Sequence, residues 1–342
     1  MRSVVAGLTV WGLSVLLYAA SDGSGLVQAC SADYQSFCQD VKPGGGRVVA
    51  CLRKHLAELT NSCRDTLRDI GPITGDTPRQ SLPAPVSAAP GSVLRDVSYG
   101  ADPAQKLDVY IPDHPDHAAI MFMAHGGGWE FGDKGAQNVV EPKASYWRAR
   151  QVIFISANYR MLPQAAPVDQ AADLARAIAY VQAHAQAWGG DPARVVLMGH
   201  SAGAHLVSLI TVDEGIARSA GVQPWLGTVA LDSAAMDVPA LMQSRHLPLY
   251  DRAFGKDPAG WAAVSPYQQL KARPVPMLLI CSTERATSCD SAERMAAKIA
   301  QLGGKVTIKP LARSHMQINA EVGADNEETT TIDTFLHTLG VG

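Results

Sequence analysis

Between Ile120 and Leu311 the chain repeats one device, a short unbroken apolar run followed by a helix-like stretch. The runs are Ile120 to Ala124, Val152 to Ala157, Val195 to Met198, Leu226 to Leu231, Met277 to Cys281 and Val306 to Leu311. Between several of them apolar residues recur at helical spacing, as in Ala171, Ala175, Ile178 and Ala179; a last stripe is Ile332, Phe335, Leu336 and Leu339. Strands without polar alternation are buried on both faces. Alternated with amphipathic helices, they build a mostly parallel sheet with helices on each side. The pattern predicts an α/β fold occupying one large domain over residues 92–342, with no internal repeat.

The region before it is organised differently. One Arg precedes an apolar run from Val4 to Ala20, and Val27-Gln28-Ala29 puts small residues where a signal peptidase cuts. Residues 1–29 therefore read as a signal peptide. A retained anchor is the alternative, and acylation of Cys30 is a weaker one because Gln28 fits that motif badly. Four of the six cysteines, Cys30, Cys38, Cys51 and Cys63, crowd residues 30–70. There Val49, Leu52, Leu56 and Leu59 share a helix face, and Lys42 to Gly46 breaks that helix from the segment before it. Two short helices bury too little to be stable alone, so disulfides must supply the deficit. An antiparallel hairpin favours Cys30–Cys63 with Cys38–Cys51, although four cysteines allow three pairings. The remaining pair, Cys281 and Cys289, is expected to form a third bridge in an exported chain. Residues 71–91 hold five prolines and no periodicity, as a semi-extended linker would.

Composition removes several function classes. The net charge is −3 with no long run of one sign, which argues against nucleic acid as a partner. Charged residues make up 18% and hydrophobic residues 47%, a globular balance. Close C-x-x-C pairs are absent, so a zinc site is not expected.

Chemistry concentrates in three places. In Gly199-His200-Ser201-Ala202-Gly203 the glycines permit a sharp strand-to-helix turn that lifts Ser201 off the end of the sheet as a nucleophile. In Ala124-His125-Gly126-Gly127-Gly128-Trp129, again after an apolar run, the Gly127 and Gly128 N–H groups are the expected oxyanion donors, with Ala202 completing the hole. No phosphate-loop glycine pattern fits there. Directly after the last run comes Leu311-Ala312-Arg313-Ser314-His315, where a base can swing back over the nucleophile. Among the other histidines, His125 and His200 read as loop-shaping residues and His205 as a packing residue. His114 and His117 flank Pro115 in an exposed loop without further metal ligands. Trp129 reads equally as a pocket wall and as core.

These segments, with "KLDVYIP", "SANYRMLPQ" and "WGGDPARVVLMGHSAGAHL", resemble the HGGG/GxSxG esterase and lipase group of α/β hydrolases, in its feruloyl-esterase-like and kynurenine-formamidase-like branch. The resemblance spans about residues 95 to 340. It implies an eight-stranded sheet, a Ser–His–acid triad and no cofactor or metal, and it makes Asn158-Tyr159-Arg160 and Asp191 to Arg194 framework turns. The four-cysteine block resembles the cysteine-rich repeat of Golgi apparatus protein 1, a structural or interaction module with no known chemistry, whose ligand or protein partner is open. The chain departs from the hydrolase pattern at the acid. The position after the seventh strand falls on Arg285. Glu284 is adjacent and takes first place; Asp290, which a Cys281–Cys289 bridge would fold back, comes second; Asp232 and Asp237 after the sixth strand are remoter. The expected function is an exported serine carboxylesterase acting on small or soluble esters, with residues 212–225 and 238–268 as modest cover. An amidase or formamidase using the same residues is one rival. A binding or adhesion protein with a weakened hydrolase domain is the other.

Overall fold

The computed structural model of the chain describes residues 24–41, 47–56, 58–69, 86 and 88–342. Residues 1–23 of the segment read as a signal peptide, the Lys42 to Gly46 break and most of the proline-rich stretch lie outside the described residues. The chain divides into two compact units, Met1–Pro78 and Arg79–Gly342.

The larger unit carries eight strands: β1 (Val93–Ser98), β2 (Lys106–Tyr110), β3 (Ala118–Ala124), β4 (Ile153–Ala157), β5 (Gly190–His200), β6 (Gly227–Leu231), β7 (Met277–Ser282) and β8 (Val306–Leu311). They form one sheet in the order β1-β2-β4-β3-β5-β6-β7-β8. β1–β2 and β2–β4 pair antiparallel, and every other pair is parallel. All six apolar runs become strands. The two strands that the runs do not announce are β1, an edge strand with exposed Arg95 and Asp96, and β2, which buries Asp108. Asp108 is tolerated inside because Lys134 Nζ lies 2.7 Å and Arg95 Nη1 2.8 Å from its carboxylate.

The two faces of β3 show why its run has no polar alternation. Ile120, Phe122 and Ala124 pack with Leu174, Ile178, Leu206 and Ile210, from the helices Pro167–His184 and Ala202–Val212. Met121 and Met123 pack on the opposite side with Trp147, Ile332 and Phe335, from the helices Lys143–Ala149 and Glu327–Thr338. Every residue of β3, β4, β6 and β7 is buried. A parallel sheet sends all its strand ends out at one edge. The loops after β3, β5, β6, β7 and β8 therefore meet there, which is where such sheets hold ligands.

Among its described residues the smaller unit contains helices Ser24–Phe37, Arg47–Lys54 and Asn61–Asp69, one more than the hairpin expectation. Its disulfides are Cys30–Cys63 and Cys38–Cys51, with Cα separations of 4.6 and 6.0 Å. The Cys30 sulfur is therefore engaged and offers no thiol to a lipid. Val49, Leu52, Leu59 and Leu67 are buried between the bridges. Leu56 corrects the predicted stripe: the helix stops at Lys54, the chain turns, and Leu56 is exposed. Asp33 fixes that turn by accepting from the Thr60 N–H at 2.9 Å and the Thr60 hydroxyl at 2.7 Å.

Candidate active site

Ser201 stands between β5 and the helix Ala202–Val212 with φ 55° and ψ −115°, a conformation outside the ordinary regions for a residue with a side chain. The turn is possible because its flanks have no Cβ. One built on Gly199 would lie 2.4 Å from the Gly203 carbonyl oxygen, and one on Gly203 would lie 2.2 Å from that of Ala124. The same turn leaves Ser201 Oγ 3.0 Å from His315 Nε2.

His315 begins a short helix, His315–Ala320, whose start is fixed by a capping box between Ser314 and Gln317. Its backbone oxygen lies 2.9 Å from His200 Nε2, which donates from below. His200 is buried and burial holds its pKa down to about 3, so it acts as a neutral donor. This is the loop-shaping part expected of it. His205 bridges instead of merely packing: it accepts from Trp129 Nε1 at 3.2 Å, and its Nε2 donates to the Val264 carbonyl at 2.7 Å.

The carboxylate at His315 is Asp232, which corrects the expectation for the acid. His315 Nδ1 lies 2.5 Å from Asp232 Oδ2. Glu284 and Asp290 are both exposed. The Cys281–Cys289 bridge forms, with a Cα separation of 5.1 Å, but it ties the helix Ala286–Gln301 to β7 without turning Asp290 inward. Asp237 caps the helix Val238–Gln243 by accepting from the Ala240 N–H. Asp232 follows β6 directly and adopts φ 51°, which turns its side chain toward the end of β7. There Oδ1 accepts from the Ser282 N–H at 2.8 Å and from the Ser288 hydroxyl, and Oδ2 accepts from Arg285 Nη1 at 2.7 Å as well as from His315. Burial alone would raise the Asp232 pKa. The His315 bond, then those from Ser288 and Ser282 and the Arg285 charge, hold it well below the carboxylate range instead. The sequence signal was an Asp at the carboxyl end of a buried strand, with nothing to rank it above its neighbours.

The glycine loop after β3 approaches Ser201 from the other side. Gly127 has φ 126°, and a Cβ there would collide with the Phe131 carbonyl oxygen at 1.9 Å. Among the described residues the N–H groups of Gly127, Gly128 and Ala202 donate to no protein acceptor. The framework residues hold this loop in place. Tyr159 Oη donates to the His125 carbonyl at 2.9 Å, Asn158 Nδ2 donates to Asp133 at 2.8 Å, and Arg160 forks the buried Asp173. Trp129 is 3% exposed, packs against Tyr250 and Phe254, and also lines the cavity, so both readings of it apply.

These groups open on a cavity of about 470 Å³. Phe131, Leu247 and Met316, three large hydrophobic residues with more than half their surface exposed, lie on its lining. Among the described residues no group of three or more His, Cys, Asp or Glu side chains is placed to hold a metal ion.

Comparisons with known proteins place these features in context. The model of the BD-FAE family matches residues 107–287, and that of the cysteine rich repeat matches residues 23–67. A probable isoprenylcysteine alpha-carbonyl methylesterase of Arabidopsis thaliana is 35% identical over 130 residues, 38% of this chain and 30% of that protein. A probable carboxylic ester hydrolase, LipM of Mycobacterium tuberculosis, is 31% identical over 181 residues, 48% of this chain and 40% of that protein. The chain thus matches well under half the length of these relatives. Among solved structures, apo esterase 2 of Thermogutta terrifontis superposes with TM-score 0.59 at 24% identity, covering 74% of this chain and 96% of that one. Esterase B of Lactobacillus rhamnosis gives 0.61 at 19%, covering 85% and 95%. At such identities the superpositions show a shared fold.

Proposed function

The chain belongs to the BD-FAE family of α/β hydrolases, and on that premise we propose that it is a serine carboxylesterase working through Ser201, His315 and Asp232. The observation that carries this is the unbroken chain of contacts from Ser201 Oγ through His315 to Asp232, at 3.0 and 2.5 Å. His315 Nε2 takes the hydroxyl proton as Ser201 Oγ attacks the ester carbonyl. Asp232, ionised and immobile, fixes the tautomer with the proton on Nδ1 and stabilises the imidazolium that forms. The carbonyl oxygen gains charge and is received by the N–H groups of Gly127, Gly128 and Ala202, which need no reorientation. His315 then gives its proton to the leaving alcohol. Water, activated by the same histidine, releases the acid from the acyl-enzyme.

The cavity volume suits small or soluble esters, and Phe131, Leu247 and Met316 offer an apolar part of the substrate a place to rest. The names of the relatives, a methylesterase and a carboxylic ester hydrolase, agree with ester chemistry. Export is part of the proposal and rests on the signal-peptide pattern together with three disulfides. An amidase or formamidase would use the same atoms and differ only in the leaving group. The reading as a binding protein drew its support from a missing acid, and Asp232 within reach of His315 counts against it.

The test is hydrolysis of a p-nitrophenyl ester series, acetate to decanoate, by wild type and Ser201→Ala, with a p-nitroanilide of matched acyl group alongside. The proposal expects turnover of the shorter esters and its loss in Ser201→Ala. Faster cleavage of the anilide would favour the amidase. Activity surviving Ser201→Ala would refute the mechanism.

A further inference from the structure

Arg285 occupies the place where the acid was expected, and it is the only lysine or arginine among the described residues lining the cavity. Its contact with Asp232 differs from a structural ion pair. Arg160, equally exposed at 29% against 28%, grips Asp173 with a fork: Nε to one oxygen and Nη2 to the other, both at 2.7 Å. Arg285 reaches Asp232 through Nη1 alone, at 2.7 Å, and the same Nη1 lies 2.5 Å from His315 Nδ1. Its Nε–Nη2 edge, the geometry that matches a carboxylate, is not used on Asp232.

Asp232 does not depend on this contact. It already accepts from His315, Ser288 and the Ser282 N–H. Tyr250 lines the same cavity and its hydroxyl interacts with the Arg285 guanidinium. The other charged groups on the lining offer no competing anion. Asp133 is engaged by Asn158 Nδ2 and the Gly135 N–H, and Asp232 is fully buried.

We infer that Arg285, assisted by Tyr250, is the specificity-determining residue for an anionic group on the substrate, so that the preferred esters carry a carboxylate a few bonds from the scissile carbonyl. This rests on the esterase reading above. When the substrate anion docks, the guanidinium fork turns to it, and Nη1 withdraws from His315 while Asp232 keeps its other three donors. No bond is made or broken in this step.

The test uses two matched pairs, because the anion can sit on either side of the ester. One pair is p-nitrophenyl hydrogen glutarate and p-nitrophenyl methyl glutarate; the other is 3-carboxyphenyl butyrate and its methyl ester. Wild type should prefer at least one anionic member by roughly tenfold or more in kcat/KM, carried mainly by KM and shrinking as salt is added. Which pair shows the preference identifies the side. In Arg285→Gln the ratio within that pair should fall to about one, whatever happens to the neutral ester, and Arg285→Lys should keep part of it. Turnover of all four esters with no anionic preference would overturn the inference. So would a preference that survives Arg285→Gln, or an equal loss on both members of each pair, which would make Arg285 only a positioning residue for Asp232. If wild type hydrolyses none of the four, the esterase reading fails, and binding then decides the inference. Glutarate, against chloride at matched ionic strength, should raise the melting temperature of wild type and not of Arg285→Gln, and equal shifts in the two proteins would refute anion recognition.

Discussion

His315 Nδ1 lies 2.5 Å from Asp232 Oδ2, although 83 residues separate them and Glu284 and Asp290 lie far closer in sequence. The contact exists because β6, β7 and β8 are neighbouring parallel strands of one sheet, so the loops leaving β6 and β8 face each other across the loop leaving β7. Strand order decides which carboxylate meets the histidine.

Asp232→Asn keeps the shape of the side chain and removes its charge. Turnover on p-nitrophenyl butyrate should fall on the order of a thousandfold or more, as when a triad loses its acid. Glu284→Gln and Asp290→Asn alter exposed side chains and should stay within about threefold. Steady-state kinetics on the three variants, with melting curves to confirm folding, check this. A loss below tenfold for Asp232→Asn would remove it from the mechanism.

A fluorophosphonate probe should label the protein once, at Ser201, with labelling abolished in Ser201→Ala. The geometry behind this is the 3.0 Å contact with His315 Nε2 and the N–H groups of Gly127, Gly128 and Ala202, which have no protein acceptor among the described residues. Peptide mapping of the labelled protein locates the adduct, and an adduct on any other serine would contradict the assignment.

Cys281 and Cys289 clamp the loop that carries Ser282, Arg285 and Ser288, the source of three of the four hydrogen bonds to Asp232. In Cys281→Ala/Cys289→Ala the loop loses its tether. Stability should drop by about 2 kcal/mol, the chain-entropy effect of a short closed loop. Turnover should fall at temperatures where the fold is still intact, since the carboxylate is less firmly held. Parallel scans of activity and far-UV circular dichroism against temperature separate the two effects. Coincident curves would mean that the bridge supports only the fold.

Two buried histidines make a defined contribution to the pH dependence of stability. Burial lowers the pKa of His200 to about 3 and of His205 to about 4, while in the unfolded chain both titrate near 6.5. Between these values the unfolded state binds more protons at these sites than the native state, so their contribution to stability is fully present above about pH 6.5 and is lost as pH falls toward 4 and below. Asp232, also depressed, acts with the same sign at still lower pH. Urea melts at pH 6, 5 and 4 should show a decline, because in this range the histidines together outweigh buried Glu328, whose pKa burial raises to about 8 and whose proton uptake acts with the opposite sign. The decline should be shallower in His205→Gln, which retains a hydrogen-bonding side chain without the titration. An unchanged slope would place the proton uptake elsewhere.

The fold was legible in the sequence because its signal is local. Six apolar runs with helical spacing between them specify a covered parallel sheet wherever they occur, and each became a strand. The candidate nucleophile and oxyanion loop were legible for a related reason. A sharp turn and a close backbone approach both demand glycine at fixed offsets, so Gly199, Gly203 and Gly127 announce the geometry that they allow. β1 and β2 were less visible, since an edge strand alternates with polar residues and β2 hides a buried Asp108 whose partners lie at Arg95 and Lys134. Asp232 was among the candidates for the acid, but its place ahead of the others was not legible. Glu284, Asp290, Asp237 and Asp232 are equivalent as carboxylates near strand ends. What separates them is the lateral order of the strands, the positive φ at Asp232 and the donors that converge on it from the β7 loop. Each of these is a relation between segments distant in the chain, so only packing the sheet could assign Arg285 to the cavity and Asp232 to the histidine.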